Sequence, residues 1–172
     1  MSGGLNWVRA DEHPALLAEP VLAAVRGRGD ARVAPIDPEL ADTAQFCERY
    51  GMPLATSANC VVVAARRGGE VSYAACMVLA TQRADVNGIV RRRLGARKIS
   101  FAPMDEATGL TGMEYGGITP LGLPEGWPVL VDEAVAAEAG VVVGSGVRRS
   151  KLLVPGKLLA DLPGAEVLAL TR

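Results

Sequence analysis

The stretch NCVVVAA, Asn59 to Ala65, is a near-continuous apolar run. A run of that length and composition reads as a β-strand covered on both faces. RRGGE follows it, and Val71 to Ala80 returns as a second strand. Gly68 and Gly69 at the bend make the pair a hairpin. Other elements are arranged around it. Pro14 to Gly27 carries apolar residues at helical spacing, with Pro20 marking a kink or a division into two pieces. ARVAPI is a short strand, and Pro38 to Tyr50 is a helix with Gly51 at the capping position. Asp85 caps a helix running to Leu94, which Gly95 ends. Strands are expected at Arg97 to Phe101, Pro128 to Val131, Val141 to Val143, Lys151 to Val154 and Glu166 to Leu170. Short helices are expected at Met104 to Leu110, after the cap Asp132, and at Pro155 to Leu162 with Pro155 in the first position. Strands outnumber helices and many neighbours are joined by short turns. The pattern predicts an α/β fold in which a curved mixed β-sheet carries flanking helices. Residues 1–12 read as a loose arm and 13–172 as a single domain.

The bulk numbers exclude several classes. A chain of 172 residues with 49% hydrophobic content can build one sizeable core. A net charge of −1 means that any nucleic-acid contact must use a local basic patch. Cys47, Cys60 and Cys76 form no CxxC and leave an odd count, as expected for reduced thiols in the cytoplasm. MSGGLNWVRADEH lacks a basic start followed by an apolar run, so no signal peptide is expected. No apolar stretch reaches the roughly 18 residues of a membrane span.

Three segments could carry chemistry. TGMEYGGITPLGLP, Thr111 to Pro124, has four glycines and two prolines but no His, Cys, Lys or Arg. Gly116 and Gly117 together could turn successive N–H groups toward one point, forming a nest for a carbonyl oxygen or anion. Pro120 would stiffen the far end. One such donor aimed at a developing oxyanion is worth roughly 3 kcal/mol. The other reading is a tight loop between a helix and a strand. GSGVRRSK, Gly144 to Lys151, could hold a phosphate, although GxxxxGK[ST] is absent; a solvated hairpin turn fits equally. VRRRLGARK, Val90 to Lys98, has five basic residues in nine and reads either as a phosphate-contacting patch or as a solvated helix face. His13 is the sole histidine and sits in the arm, so a Ser-His-Asp or Cys-His device is not expected. No ligand spacing supports a metal site.

The order of these segments resembles the YbaK-type family, the free-standing relatives of the prolyl-tRNA synthetase editing domain. The similarity spans about residues 38 to 170: the buried strand near 60 with its hairpin partner, Asp85 at a helix start, LGARK, the TG of Thr111–Gly112, the phrase Gly116–Gly117–Ile118–Thr119–Pro120, and a strand ending GSGVR. The resemblance implies a YbaK-like editing domain over residues 13–172. It also implies a deacylase acting in trans, without metal or cofactor, on the ester that joins a wrong, small amino acid to the acceptor end of a tRNA. Gly116 and Gly117 would hold the acyl carbonyl. Thr119 and Asn59 would orient substrate or water. Thr111, Gly112, Ile118, Pro120, Asp85, Gly144, Ser145, Gly146, Arg148 and Lys151 would line the substrate site, and Arg91, Arg92 and Arg93 would meet the tRNA.

Three positions depart from the family pattern. A lysine usual in the family is Asn59 here, which offers only neutral hydrogen bonds. A position often acidic in the family is Lys151, and one often serine is Gly144. A positive charge moved from one wall of the pocket to the other, onto Arg148 or Lys151, would account for these changes. The missing lysine also suits a non-catalytic module that binds an aminoacyl-nucleotide or nucleotide. An esterase on a small non-tRNA substrate would use the same chemistry.

Overall fold

The computed structural model of the chain describes residues 4–171. The hairpin is its longest feature. Strands β3 (Ala58–Arg67) and β4 (Glu70–Leu79) pair antiparallel from Ala58–Leu79 to Arg67–Glu70. Gly68 and Gly69 bridge them with φ of 59° and 82°, the left-handed pair that a two-residue hairpin loop demands. Strand β5 (Lys98–Phe101) pairs antiparallel on the outer side of β3, while β6 (Val129–Asp132) and β9 (Ala165–Leu168) extend the sheet in parallel beyond β4. The result is a five-stranded mixed sheet in the order β5-β3-β4-β6-β9. All four residues of β6 are buried, as suits a central parallel strand.

The remaining strands form a second, four-stranded antiparallel sheet. Its order is β1 (Val8–Arg9), β2 (Arg32–Pro35), β8 (Ser150–Val154) and β7 (Val141–Gly144). The mixed α/β architecture is as expected, but the strands divide between two sheets, and a parallel bridge from Ser57 to Val142 links them by backbone. Period-two alternation explains the layers. Val33, Val141, Val143, Leu152 and Val154 of the small sheet share one apolar cluster with Ala58, Met77, Val129 and Val131 of the large one. Helices α1 (Glu19–Val25) and α6 (Gly156–Ala160) contribute Val21, Val25, Leu158 and Leu159 to that cluster.

Each sheet has a second covered face. Over the small sheet, α2 (Thr43–Tyr50) lays Phe46 and Cys47 against Ala34, Ile36 and Val142. Over the large sheet, a π-turn at Val86–Val90 and the short helix α3 (Arg91–Leu94) cover Val63, Cys76, Val78 and Leu130. Asp85 starts this unit by accepting from the Gly88 and Ile89 N–H groups, and Gly95 ends it in the left-handed region. Helices α4 (Met104–Thr111) and α5 (Glu133–Ala136) follow β5 and β6.

Several expectations shift. The helix expected over 14–27 is a 3-10 turn at Pro14–Leu16 followed by α1, with Pro20 tolerated in the first helical turn. Pro155 caps α6 rather than opening it. The arm expected over 1–12 falls partly outside the described residues. Within them, Val8–Arg9 pairs with β2 and Ala10 is fully buried. A two-residue strand carries too little periodicity to be seen in sequence.

Candidate functional site

Two glycine turns meet back to back, and their main chains are bonded to each other. Glu114 N–H donates to Gly146 O at 2.8 Å, and Gly146 N–H donates to Gly117 O at 2.7 Å. A Cβ on Gly117 would lie 2.8 Å from Val147 N, and one on Gly144 would lie 2.6 Å from Gly117 O. These glycines are therefore needed for close approach of two backbones, a contact no larger residue permits. Residues 14–21 brace the second turn from behind. Ala18 N–H donates to Ser145 O, Arg149 donates twice to Ala15 O, and Ser150 Oγ donates to Leu16 O.

The expected nest of two amides does not form. Gly117 is buried and its N–H donates to Glu114 O at 2.9 Å. Gly116 is exposed, and its N–H has no hydrogen-bond partner among the described residues. Of the two glycine amides expected to converge, only that of Gly116 is without a partner, because the turn closes on itself.

Beside this turn lies a cation. Lys151 sits on the β8 face that points into the Phe46 cluster, and it is only 6% exposed. Its Nζ donates to Ala41 O at 2.7 Å and lies 5.5 Å from the Phe46 ring centroid. One protein acceptor leaves two of three ammonium donors unused. Burial pulls its pKa down to about 8, opposed by the nearby Cys47 and Asp42. The ammonium form still dominates at neutral pH. Two residues beyond Ala41, Thr43 Oγ1 donates to Asn59 Oδ1 at 2.7 Å. Ala41 Cβ is also 3.8 Å from where a Gly116 Cβ would stand. The segment 41–43 thus ties Lys151, Asn59 and the Gly116 turn together. Ala41 and Thr43 escaped sequence reading, since nothing separates them from an ordinary capped helix start at Asp42.

Other expected site residues have structural duties. Arg148, expected to meet a phosphate, spends its guanidinium on Pro38 O at 3.1 Å and Tyr115 O at 3.0 Å, and its N–H donates to Glu114 Oε1. It clamps the loop instead. Ser145 Oγ lies 3.1 Å from both Val147 O and Ser150 O, inside the turn. Gly146 has φ of 88° and packs on Ala18. Thr111 Oγ1 donates to Ala107 O, and Gly112 caps α4. Thr119 is fully buried with no partner for Oγ1 among the described residues; Ile118 is half-buried and Pro120 buried. Asp85 starts the π-turn and lines a cavity together with Asn59. Of the basic cluster, Arg91 donates to Asn87 O and Arg93 pairs with Glu166, which leaves Arg92 exposed without a side-chain partner among the described residues.

A family model described as an aminoacyl-tRNA editing domain matches residues 37–162. The chain belongs to the aminoacyl-tRNA editing domain family. Solved structures agree in fold. A candidate trans-editing enzyme for prolyl tRNA synthetase superposes with a TM-score of 0.76 at 24% identity, over 90% of this chain and 96% of that one. A hypothetical protein gives 0.78 at 21% identity, over 90% and 100%. A candidate signal transduction protein from Marinobacter aquaeolei VT8 gives 0.59 at 16% identity, over 88% of this chain but 30% of that larger one. The editing-domain match contains Ala41, Thr43, Asn59, both glycine turns and Lys151. A tRNA-editing role therefore attaches to the domain that holds this constellation. No helix among the described residues is long and apolar enough to cross a membrane.

Proposed function

We propose that the protein hydrolyses, in trans, the ester of a mischarged aminoacyl-tRNA carrying a small amino acid. The observation that carries this reading is Lys151, a buried ammonium with two unused donors, tied through Ala41 to the glycine loop whose Gly116 N–H has no partner among the described residues. Water adds to the acyl carbon, the bond to the ribose oxygen breaks, and that oxygen leaves with a proton. Negative charge gathers on the carbonyl oxygen in between. The Gly116 N–H and the Lys151 ammonium are the donors for it, and Asn59 and Thr43 orient the ester or the water. A lysine on this wall offsets the family lysine that is Asn59 here.

A specific observation favours a second reading, a non-catalytic binding module. The Gly117 N–H is already committed to Glu114, so the loop offers one donor fewer. Purified protein incubated with a panel of tRNAs mischarged with small amino acids separates the two. Release of the amino acid from at least one of them is expected. Lys151→Ala should lower kcat/KM by about ten- to a hundredfold, the scale of a lost charge-assisted contact. Folded protein that releases none supports the binding module. Release that is unaffected by Lys151→Ala would remove that residue's role.

A further inference from the structure

The large sheet ends at β5, and the hydrogen-bond phase there leaves an open edge. Ala102 N–H donates to Val62 O at 2.9 Å, and the register pairs Ser100 with Ala64 and Lys98 with Arg66. In an antiparallel ladder, residues bonded to the neighbouring strand alternate with residues whose polar groups face the other way. Ser100 and Ala102 therefore face β3, and the N–H and C=O of Ile99 and Phe101 face away from it. Those four groups have no hydrogen-bond partner among the described residues, since β5 has no strand on its outer side. Phe101 is 65% exposed and Met104 46%. An open edge with an exposed aromatic is a template for one more strand. A lone edge lysine such as Lys98 ordinarily guards against pairing, so the incoming strand must answer that charge.

We infer that this edge is a self-association surface, on which a second copy of the chain pairs its own β5 antiparallel about a two-fold axis at Ser100. In that register Ile99 lies opposite the partner's Phe101, and Phe101 opposite the partner's Ile99. These are the outward residues, so four N–H···O=C bonds close and two apolar pairs stack on one face of the joined sheets. The contact is self-complementary, as a two-fold dimer requires. Charge selects a second copy as the occupant. Arg97 and Lys98 stand at one end of the strand; Asp105, exposed and without an ion pair among the described residues, stands at the other, in the first turn of α4. Antiparallel pairing brings the basic end of each copy to the acidic end of the other. Lys98 falls opposite the partner's Ala102 and not opposite its own symmetry mate. It shares a face with Ser100, Ala64 and Tyr73, and α4 lies on that face, since Tyr73 bonds to Glu106.

Sedimentation of the full chain, from low micromolar to submillimolar concentration, reads the association. A shift toward twice the 17.9 kDa chain mass is expected. Phe101→Arg should raise the dimer dissociation constant at least about tenfold, because the two-fold axis makes each lost apolar pair count twice. Lys98→Glu and Asp105→Lys should each weaken association, and the two together should restore it, since the attraction is then reversed in place. All three side chains are exposed, so none of these variants threatens the fold. Amide exchange of the labelled chain reads the register. The Ile99 and Phe101 amides should slow as concentration rises, while those of Ser100 and Ala102, already bonded to β3, stay slow throughout. Chain mass at every concentration overturns the inference and leaves the edge to a strand of another protein. A dimer that Phe101→Arg leaves intact, or whose Ile99 and Phe101 amides stay fast, is built on another surface and overturns it too. A charge swap that restores nothing does the same.

Discussion

The two sheets share an apolar cluster, and it is their outer faces that differ. Over the large sheet, the buried cluster holds Cys76, whose thiol burial pushes up to about 12, and the adjoining buried carboxylate of Asp132 is satisfied by the Ala134 and Leu170 N–H groups. The thiol is neutral at physiological pH and packs as a small apolar group. Over the small sheet, the buried titratable side chains include Lys151, which at about 8 keeps its charge at neutral pH against the Ala41 carbonyl and the Phe46 ring, with Asp42 and Cys47 nearby. A buried group that sheds its charge is packing. One that retains it in a dry layer opposes folding, and the offset is sought in a ligand.

The comparison breaks most visibly at Gly117. A side chain there must push Val147 away and separate the glycine turns. Gly117→Val is expected to abolish ester release and to lower the unfolding free energy by about 3 kcal/mol or more in urea titration. Gly109→Ala, in α4 with nothing within 4 Å of the new methyl, should be neutral or mildly stabilising. Next comes Lys151→Met, which removes the charge and keeps the volume. Stability should rise by about 1–2 kcal/mol, since the relief from burial exceeds the lost bond to Ala41. Activity should fall at least about tenfold. Loss of both stability and activity would make Lys151 a structural residue.

The pH dependence sharpens the same contrast. The folded pKa of Lys151 lies below its unfolded value, so between about 8 and 10.5 the unfolded chain holds the proton more tightly. Its contribution to stability therefore rises with pH across that window. Cys60 and Cys76 act oppositely: burial raises both thiols, so their contribution falls as pH rises above about 9. The difference between wild type and Lys151→Met isolates the lysine and should shrink steadily from pH 8 upward. A constant difference would mean that the ammonium is not desolvated. Smaller still is Arg148→Lys, which keeps the charge and loses the fork to Pro38 and Tyr115. A severalfold drop in kcat/KM with nearly unchanged stability is expected. Arg93→Ala breaks an exposed pair with Glu166 and should change neither measurably.

Local rules made much of the fold legible. The hairpin, the caps at Asp85, Asp132 and Gly51, and nearly every strand follow from short-range periodicity and turn chemistry. The candidate site was legible in its loops but not in its atoms. Arg148 and Lys151 look alike as basic residues after a glycine turn. One is a clamp and the other a buried charge because of carbonyls 110 positions away, at Pro38 and Ala41.

The sequence by itself determined where the chain turns and which stretches form strands, because those outcomes depend on neighbours within a few residues. It also carried, in the order of its segments, kinship with editing domains. Only the tertiary structure decided that the strands split into two sheets, that the Gly117 amide is consumed by its own turn, and that Lys151 lies buried in a covered layer. Those outcomes turn on desolvation and on contacts between distant segments, and neither is encoded in local pattern.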